Sequence, residues 1–164
     1  EWPPPGWTMA SELLAQQAHE AFRALLLALA YPGRPRALPA AGWEAALALL
    51  LEAVWRDAPG AVLVAAGADA SGLIESAARG TETEPEAGVT VLRLAGPDAA
   101  RSRVVLEGPG VREALRVELP LSAGELAARE RACAAPPLGV DLVLLDERGV
   151  LLGVPRTTRV RVER

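Results

Sequence analysis

The stretch Pro137-Leu138-Gly139-Val140-Asp141-Leu142-Val143-Leu144-Leu145-Asp146-Glu147-Arg148-Gly149-Val150-Leu151-Leu152-Gly153-Val154-Pro155-Arg156-Thr157-Thr158 decides the fold, because it sets two apolar runs of strand length around a polar turn. Val140 to Leu145 and Val150 to Val154 are predicted as the arms of a hairpin, and Asp146-Glu147-Arg148-Gly149 as its turn, with glycine in the last position. Proline cannot donate to a sheet ladder, so the second arm stops at Pro155. Arg156, Thr157 and Thr158 then leave the sheet as a constrained loop, before the alternating Arg159-Val160-Arg161-Val162 resumes it.

That loop has the chemistry of an anion site or a partner contact. A guanidinium offers a planar fork of donors, two hydroxyls add neutral ones, and proline narrows the conformations available. Phosphate, phosphonate or carboxylate would fit. The competing reading is that Arg156 pairs with a structural carboxylate while the threonines satisfy local backbone groups.

Working outward, Ser122 with Glu125 three residues on has the spacing of a capping box, opening a helix that runs to about Cys133. Leu115 to Leu119 and Arg103 to Leu106 read as strands around Gly108-Pro109-Gly110, with a helical turn over Val111 to Leu115 as the other option. Thr90 to Leu94 and Ala61 to Ala66 read as strands, and Ser71 to Arg79 as a short helix. Gly42 to Trp55 is predicted as a helix apolar nearly all round, hence buried on more than one side. A first helix opens at Ser11 and is ended by Pro32-Gly33. Residues 1–10 are expected to be an extended tail, and residues 11–164 a single α/β domain. The order of elements predicts a three-layer αβα sandwich with helices on both faces of a mixed sheet.

With 164 residues the chain can bury a core without staples, and 51% hydrophobic against 23% charged residues is ordinary for a globular protein. A net charge of −4 gives no general attraction to nucleic acid or anionic membrane. All 17 basic residues are arginine. The single cysteine, Cys133, excludes an intrachain disulfide. No apolar run is long enough to span a bilayer and no targeting segment is visible, so cytoplasmic placement is expected.

Catalytic constellations are sparse. His19 is the only histidine, so no His pair exists to bind zinc, and any Ser-His-Asp arrangement would have to use that one residue. Glu82, Glu84 and Glu86 alternate in a loop, which reads as a solvated segment more readily than as a metal cage. Gly108-Pro109-Gly110 lacks the lysine of a Walker loop and the spacing of a dinucleotide fingerprint, so it reads as a tight connection. No metal site and no cofactor site is expected.

The islands Pro137 to Leu144 and Gly153 to Thr158 resemble the C-terminal signature of PhnH, a subunit of the bacterial carbon–phosphorus lyase core complex. Phe22-Arg23 with Tyr31-Pro32-Gly33-Arg34 is similar to that family's opening, and Gly80-Thr81, Pro85 to Thr90 and Glu107 to Val111 follow in the family's order. The chain departs from the family in having Ala135 before Pro136-Pro137, and in being short between Trp55 and Gly60. The resemblance marks Pro32, Gly33, Gly108, Gly110, Gly139, Asp141 and Pro155 as structural motif positions.

It also implies a fold shaped like the large domain of pyridoxal-phosphate-dependent transferases. The chain has no lysine to form an internal Schiff base, so no pyridoxal phosphate is expected. The implied role is structural or substrate-organising, in an assembly with PhnG-, PhnI- and PhnJ-type subunits, and with PhnL for synthesis of ribose 1-phosphonate 5-triphosphate from ATP and a phosphonate. A stand-alone anion-binding domain or small-molecule enzyme on the same fold is the alternative. When isolated, the apolar helices are expected to drive homodimer formation. Arg156→Ala is expected to damage function more than the fold, and Gly139→Val to damage the fold.

Overall fold

A computed structural model describes residues 9–38, 43–58 and 61–163. The expected N-terminal tail lies almost wholly outside these residues. Helix α1 (Met9–Ala30) is followed by a short strand β1 (Arg36–Ala37), helix α2 (Trp43–Asp57), strand β2 (Val62–Ala65) and helix α3 (Ser71–Ser76). A 3₁₀ turn (Pro85–Ala87) leads into β3 (Thr90–Ala95), β4 (Ser102–Glu107) and β5 (Leu115–Leu119). Helix α4 (Ala123–Ala132) then precedes β6 (Asp141–Asp146), β7 (Val150–Val154) and β8 (Arg159–Val162).

The predicted hairpin is β6 and β7, paired antiparallel with Leu142 opposite Val154 and Leu145 opposite Leu151. It lies inside a mixed sheet ordered β1-β7-β6-β3-β2, in which β2, β3 and β6 run parallel. Apolar side chains cover both faces of its central strands, as parallel strands require. Leu92, Val143, Leu145 and Leu151 meet Ala21 and Ala28 of α1 and Leu47 of α2. On the opposite face Val91, Leu142, Leu144 and Val154 pack with Ile74 of α3 and Leu126 and Ala128 of α4. The arrangement is an αβα sandwich.

One strand departs from expectation. β8 does not resume the main sheet after Pro155 but crosses to a second, antiparallel sheet ordered β5-β4-β8. The reason is in its residues: Arg159 and Arg161 alternate with valines and are exposed. Such a strand suits a sheet covered on one side only, whereas the central positions of the main sheet demand apolar residues on both. Val104, Leu106 and Leu119 of the small sheet face the same core as α3 and α4. The segment at 108–114 forms the turn between β4 and β5 without a helix.

Local chemistry explains the joints. Glu125 completes the capping box of α4, with Ser122 Oγ accepting from the Glu125 amide and Glu125 Oε2 accepting from the Ser122 amide. Its other oxygen accepts from Arg93 Nε at 2.6 Å and from the Ala70 amide at 3.1 Å. One buried carboxylate thus starts a helix, pairs the arginine inside β3 and fixes the entry to α3. Gly153 of β7 lies against the backbone carbonyl of Ala28, so α1 sits directly on the strand where a side chain is missing.

Candidate functional site

The hairpin register that sets Leu142 opposite Val154 brings Asp141 beside Pro155, and the next residue reaches across to it. The Arg156 amide donates to Asp141 Oδ1 at 2.7 Å, and Arg156 Nη2 donates to Asp141 Oδ2 at 2.6 Å. Arg156 Nη1 donates to the Pro85 carbonyl at 2.5 Å, and Nη2 reaches the Gly88 carbonyl at 3.3 Å. The Asp141 hydrogen bonds hold this guanidinium charged and raise its pKa above the ordinary arginine value, against the opposing effect of burial. Most donors of the fork are therefore spent inside the protein.

This clamp joins three separate segments singled out in the sequence. Asp141 follows Gly139, Pro85 and Gly88 belong to the 3₁₀ turn and its exit, and Arg156 follows the strand-ending Pro155. Gly139 is packed so closely that a Cβ there would stand 2.9 Å from Cys133 Sγ and 3.0 Å from Arg156 Cβ. A second junction holds the other motif residues. The Gly33 amide donates to the Gly153 carbonyl at 3.0 Å, which ties the Pro32-Gly33 turn to β7. Gly110 has φ +81° and approaches the Ala30 carbonyl and Pro32, while a Cβ on Gly108 would meet the Thr157 carbonyl at 2.9 Å. The Gly108-Pro109-Gly110 turn is thus wedged between the end of α1 and the Arg-Thr loop.

Beside the loop lies a cavity of about 720 Å³, walled by the 156–158 loop, β8, α4 and the 133–138 segment. Thr157 lies exposed on its wall. Thr158 is 3% exposed, its amide donates to the Pro155 carbonyl at 2.9 Å, and its Oγ1 has no hydrogen-bond partner. Arg129 of α4, at 4% exposure, donates from Nη2 to the Pro155 carbonyl at 2.7 Å and the Thr158 carbonyl at 2.8 Å. Its Nε has no partner. Burial lowers the Arg129 pKa from the ordinary value, with Cys133 and Asp141 acting in the opposite sense.

Sequence reasoning missed Arg129. The signal was available in the helical phase: Glu125, Arg129 and Ala132 recur at intervals of four and three, so two charged residues share a stripe with the alanine that faces the core. Arg93, inside an apolar strand, was a similar signal. Other candidates fall elsewhere. His19 is exposed on α1, and Glu82, Glu84 and Glu86 are exposed in their loop. Among the described residues no group of three or more His, Cys, Asp or Glu side chains is placed to hold a metal ion, and no helix is long and apolar enough to cross a membrane.

Residues 44–161 match the family model described as bacterial phosphonate metabolism protein, PhnH. No curated protein matches the chain.

Proposed function

This chain belongs to the PhnH family of bacterial phosphonate metabolism proteins, and from that membership we propose that it is an organising subunit of a carbon–phosphorus lyase assembly. Its partners in this reading are PhnG-, PhnI- and PhnJ-type subunits, with PhnL joining for synthesis of ribose 1-phosphonate 5-triphosphate from ATP and a phosphonate. The assembly works in the cytoplasm, without nucleic acid or membrane, and the isolated chain pairs with itself.

The observation that carries the reading is the Arg156 clamp. Three segments that resemble the family signature, far apart in sequence, converge on one guanidinium. That convergence supports a signature whose residues build a shape, with the chemistry supplied from a partner. Pyridoxal phosphate has no place in it, since a Schiff base needs a lysine side chain and the sequence contains none. The 156–158 loop remains the candidate contact, through the face that Thr157 leaves open.

Growth tests the proposal. In a bacterium deleted for its own PhnH-type subunit, with methylphosphonate as the sole phosphorus source, this chain supplied together with its cognate partner subunits is expected to restore growth. Omitting this chain alone is expected to abolish it. Growth that persists without the chain would remove the proposed role.

A further inference from the structure

Among the described residues Arg93 and Arg129 are buried and the Arg156 side chain is largely covered, and the three are not treated alike. Arg93 has Glu125 at 2.6 Å, and Arg156 has Asp141 at 2.6 Å. Arg129 has only backbone carbonyls; among the described residues no carboxylate lies within ion-pair distance of it. A buried cation without a counter-charge is costly, as is a buried hydroxyl or N–H without a hydrogen bond. Both costs occur together here. Arg129 Nε and Thr158 Oγ1 are unpartnered, and both side chains belong to the lining of the same cavity.

Neutral carbonyls satisfy part of the Arg129 fork and hold the Pro155–Thr158 loop against α4, which explains Nη2. They leave Nε without a partner and the guanidinium without a carboxylate at ion-pair distance among the described residues. At the rim, Arg161 is paired with Glu107 at 3.4 Å, and Arg159 and Glu130 are exposed. Arg159 therefore offers a second cation at the mouth, while Glu130 is the one rim carboxylate without an ion pair among the described residues. The cavity is wide enough for a small substituted oxyanion, and its floor rather than its rim carries the unmet donors.

We infer that Arg129 and Thr158 form the floor of a binding site for a phosphonyl or phosphoryl oxyanion, with Arg159 at its mouth. The guanidinium supplies the counter-charge and its remaining donors, and the threonine hydroxyl donates to a second oxygen. Arg129 Nε and Thr158 Oγ1 are buried in this structure, so ligand contact requires these two side chains to turn toward the cavity. The choice of ligand class rests on the phosphonate-metabolism reading; the demand for an anion does not. Burial disfavours the Arg129 charge, and a bound anion would offset that cost.

Calorimetric titration of the full chain with methylphosphonate, and separately with inorganic phosphate, tests the site. Binding of either supports it: methylphosphonate alone identifies a phosphonate site, phosphate alone a phosphate site, and both a site for the shared oxyanion. Thr158→Val removes a hydroxyl that no protein group uses, so the melting temperature is expected to hold or rise while affinity falls about tenfold. Arg129→Gln is expected to abolish binding; should it fail to fold, Thr158→Val carries the test. The inference is overturned if neither ion binds at millimolar concentration, if affinity is unchanged in Thr158→Val, or if that variant melts far below wild type. Growth on methylphosphonate with a silent calorimeter would reject this site and leave the subunit role standing.

Discussion

Asp141 holds Arg156 twice, through the main-chain amide at 2.7 Å and through the side chain at 2.6 Å, so one carboxylate fixes both the path of the loop and the direction of its guanidinium. Both side chains are largely covered, at 14% and 18% exposure. Removing one partner strands the other, so Arg156→Met is expected to cost about 2–4 kcal/mol, somewhat less than a fully buried pair. The double variant Arg156→Met/Asp141→Asn should lose less than the sum of the single changes. Urea unfolding of the four proteins checks this. It also shifts the weight placed on Arg156→Ala from function toward stability: a variant that unfolds like wild type yet loses function would return the arginine to the role of a contact.

Backbone contact predicts the costliest small substitution. At Gly153 an added methyl would press on the Ala28 carbonyl, and backbone on backbone cannot relax by a change of rotamer. Gly153→Ala is expected to melt well below wild type, and further below it than Gly72→Ala, where a Cβ meets nothing within 4 Å. Thermal unfolding of the two variants compares them directly. Gly139→Val should fall with Gly153→Ala, because its branches enter the space of Cys133 and Arg156.

Asp146 gives the fold an acid limb. Burial opposes its ionisation, but the Val150 amide, the Arg148 side chain and the Arg148 amide outweigh it and hold the carboxyl below the ordinary 3.8. A depressed folded pKa stabilises the protein above the unfolded value and loses that contribution as pH falls through the folded one. Wild type should exceed Asp146→Asn in stability by a constant margin above about pH 5, and the margin should close below about pH 4. Denaturation across that range reads the difference; a margin that widens on acidification would contradict the assignment.

Self-association should run through α1. Phe22 and Leu26, four residues apart on this helix, are 41% and 52% exposed, and Leu49 of α2 is 36% exposed. Light scattering over a concentration series is expected to show a dimer that Leu26→Glu shifts to monomer with no loss of melting temperature. A strictly monomeric wild type at high concentration would exclude it.

The hairpin was legible because its apolar runs, turn glycine and terminal proline all speak locally, and the capping box of α4 for the same reason. β8 was misplaced because its alternation announces a strand but not which sheet receives it; that depends on β4, more than fifty residues earlier. Asp141 was recognised as a motif residue, yet its partner became visible only through register. Arg129 and Arg93 were hidden by composition: in a chain whose basic residues are all arginine, a buried one looks like its solvated neighbours until helical phase and strand position are weighed. β1, two residues long, carries too little pattern to be seen.

In the proposed role this chain works as part of an assembly. Co-expression of the tagged chain with its cognate PhnG-, PhnI- and PhnJ-type subunits, purification by the tag and sizing by light scattering test this role. The subunits are expected to elute together in fixed ratio, and the chain produced alone to give only the smaller self-associated species. Elution of the chain by itself, with the other subunits present and soluble, would contradict it.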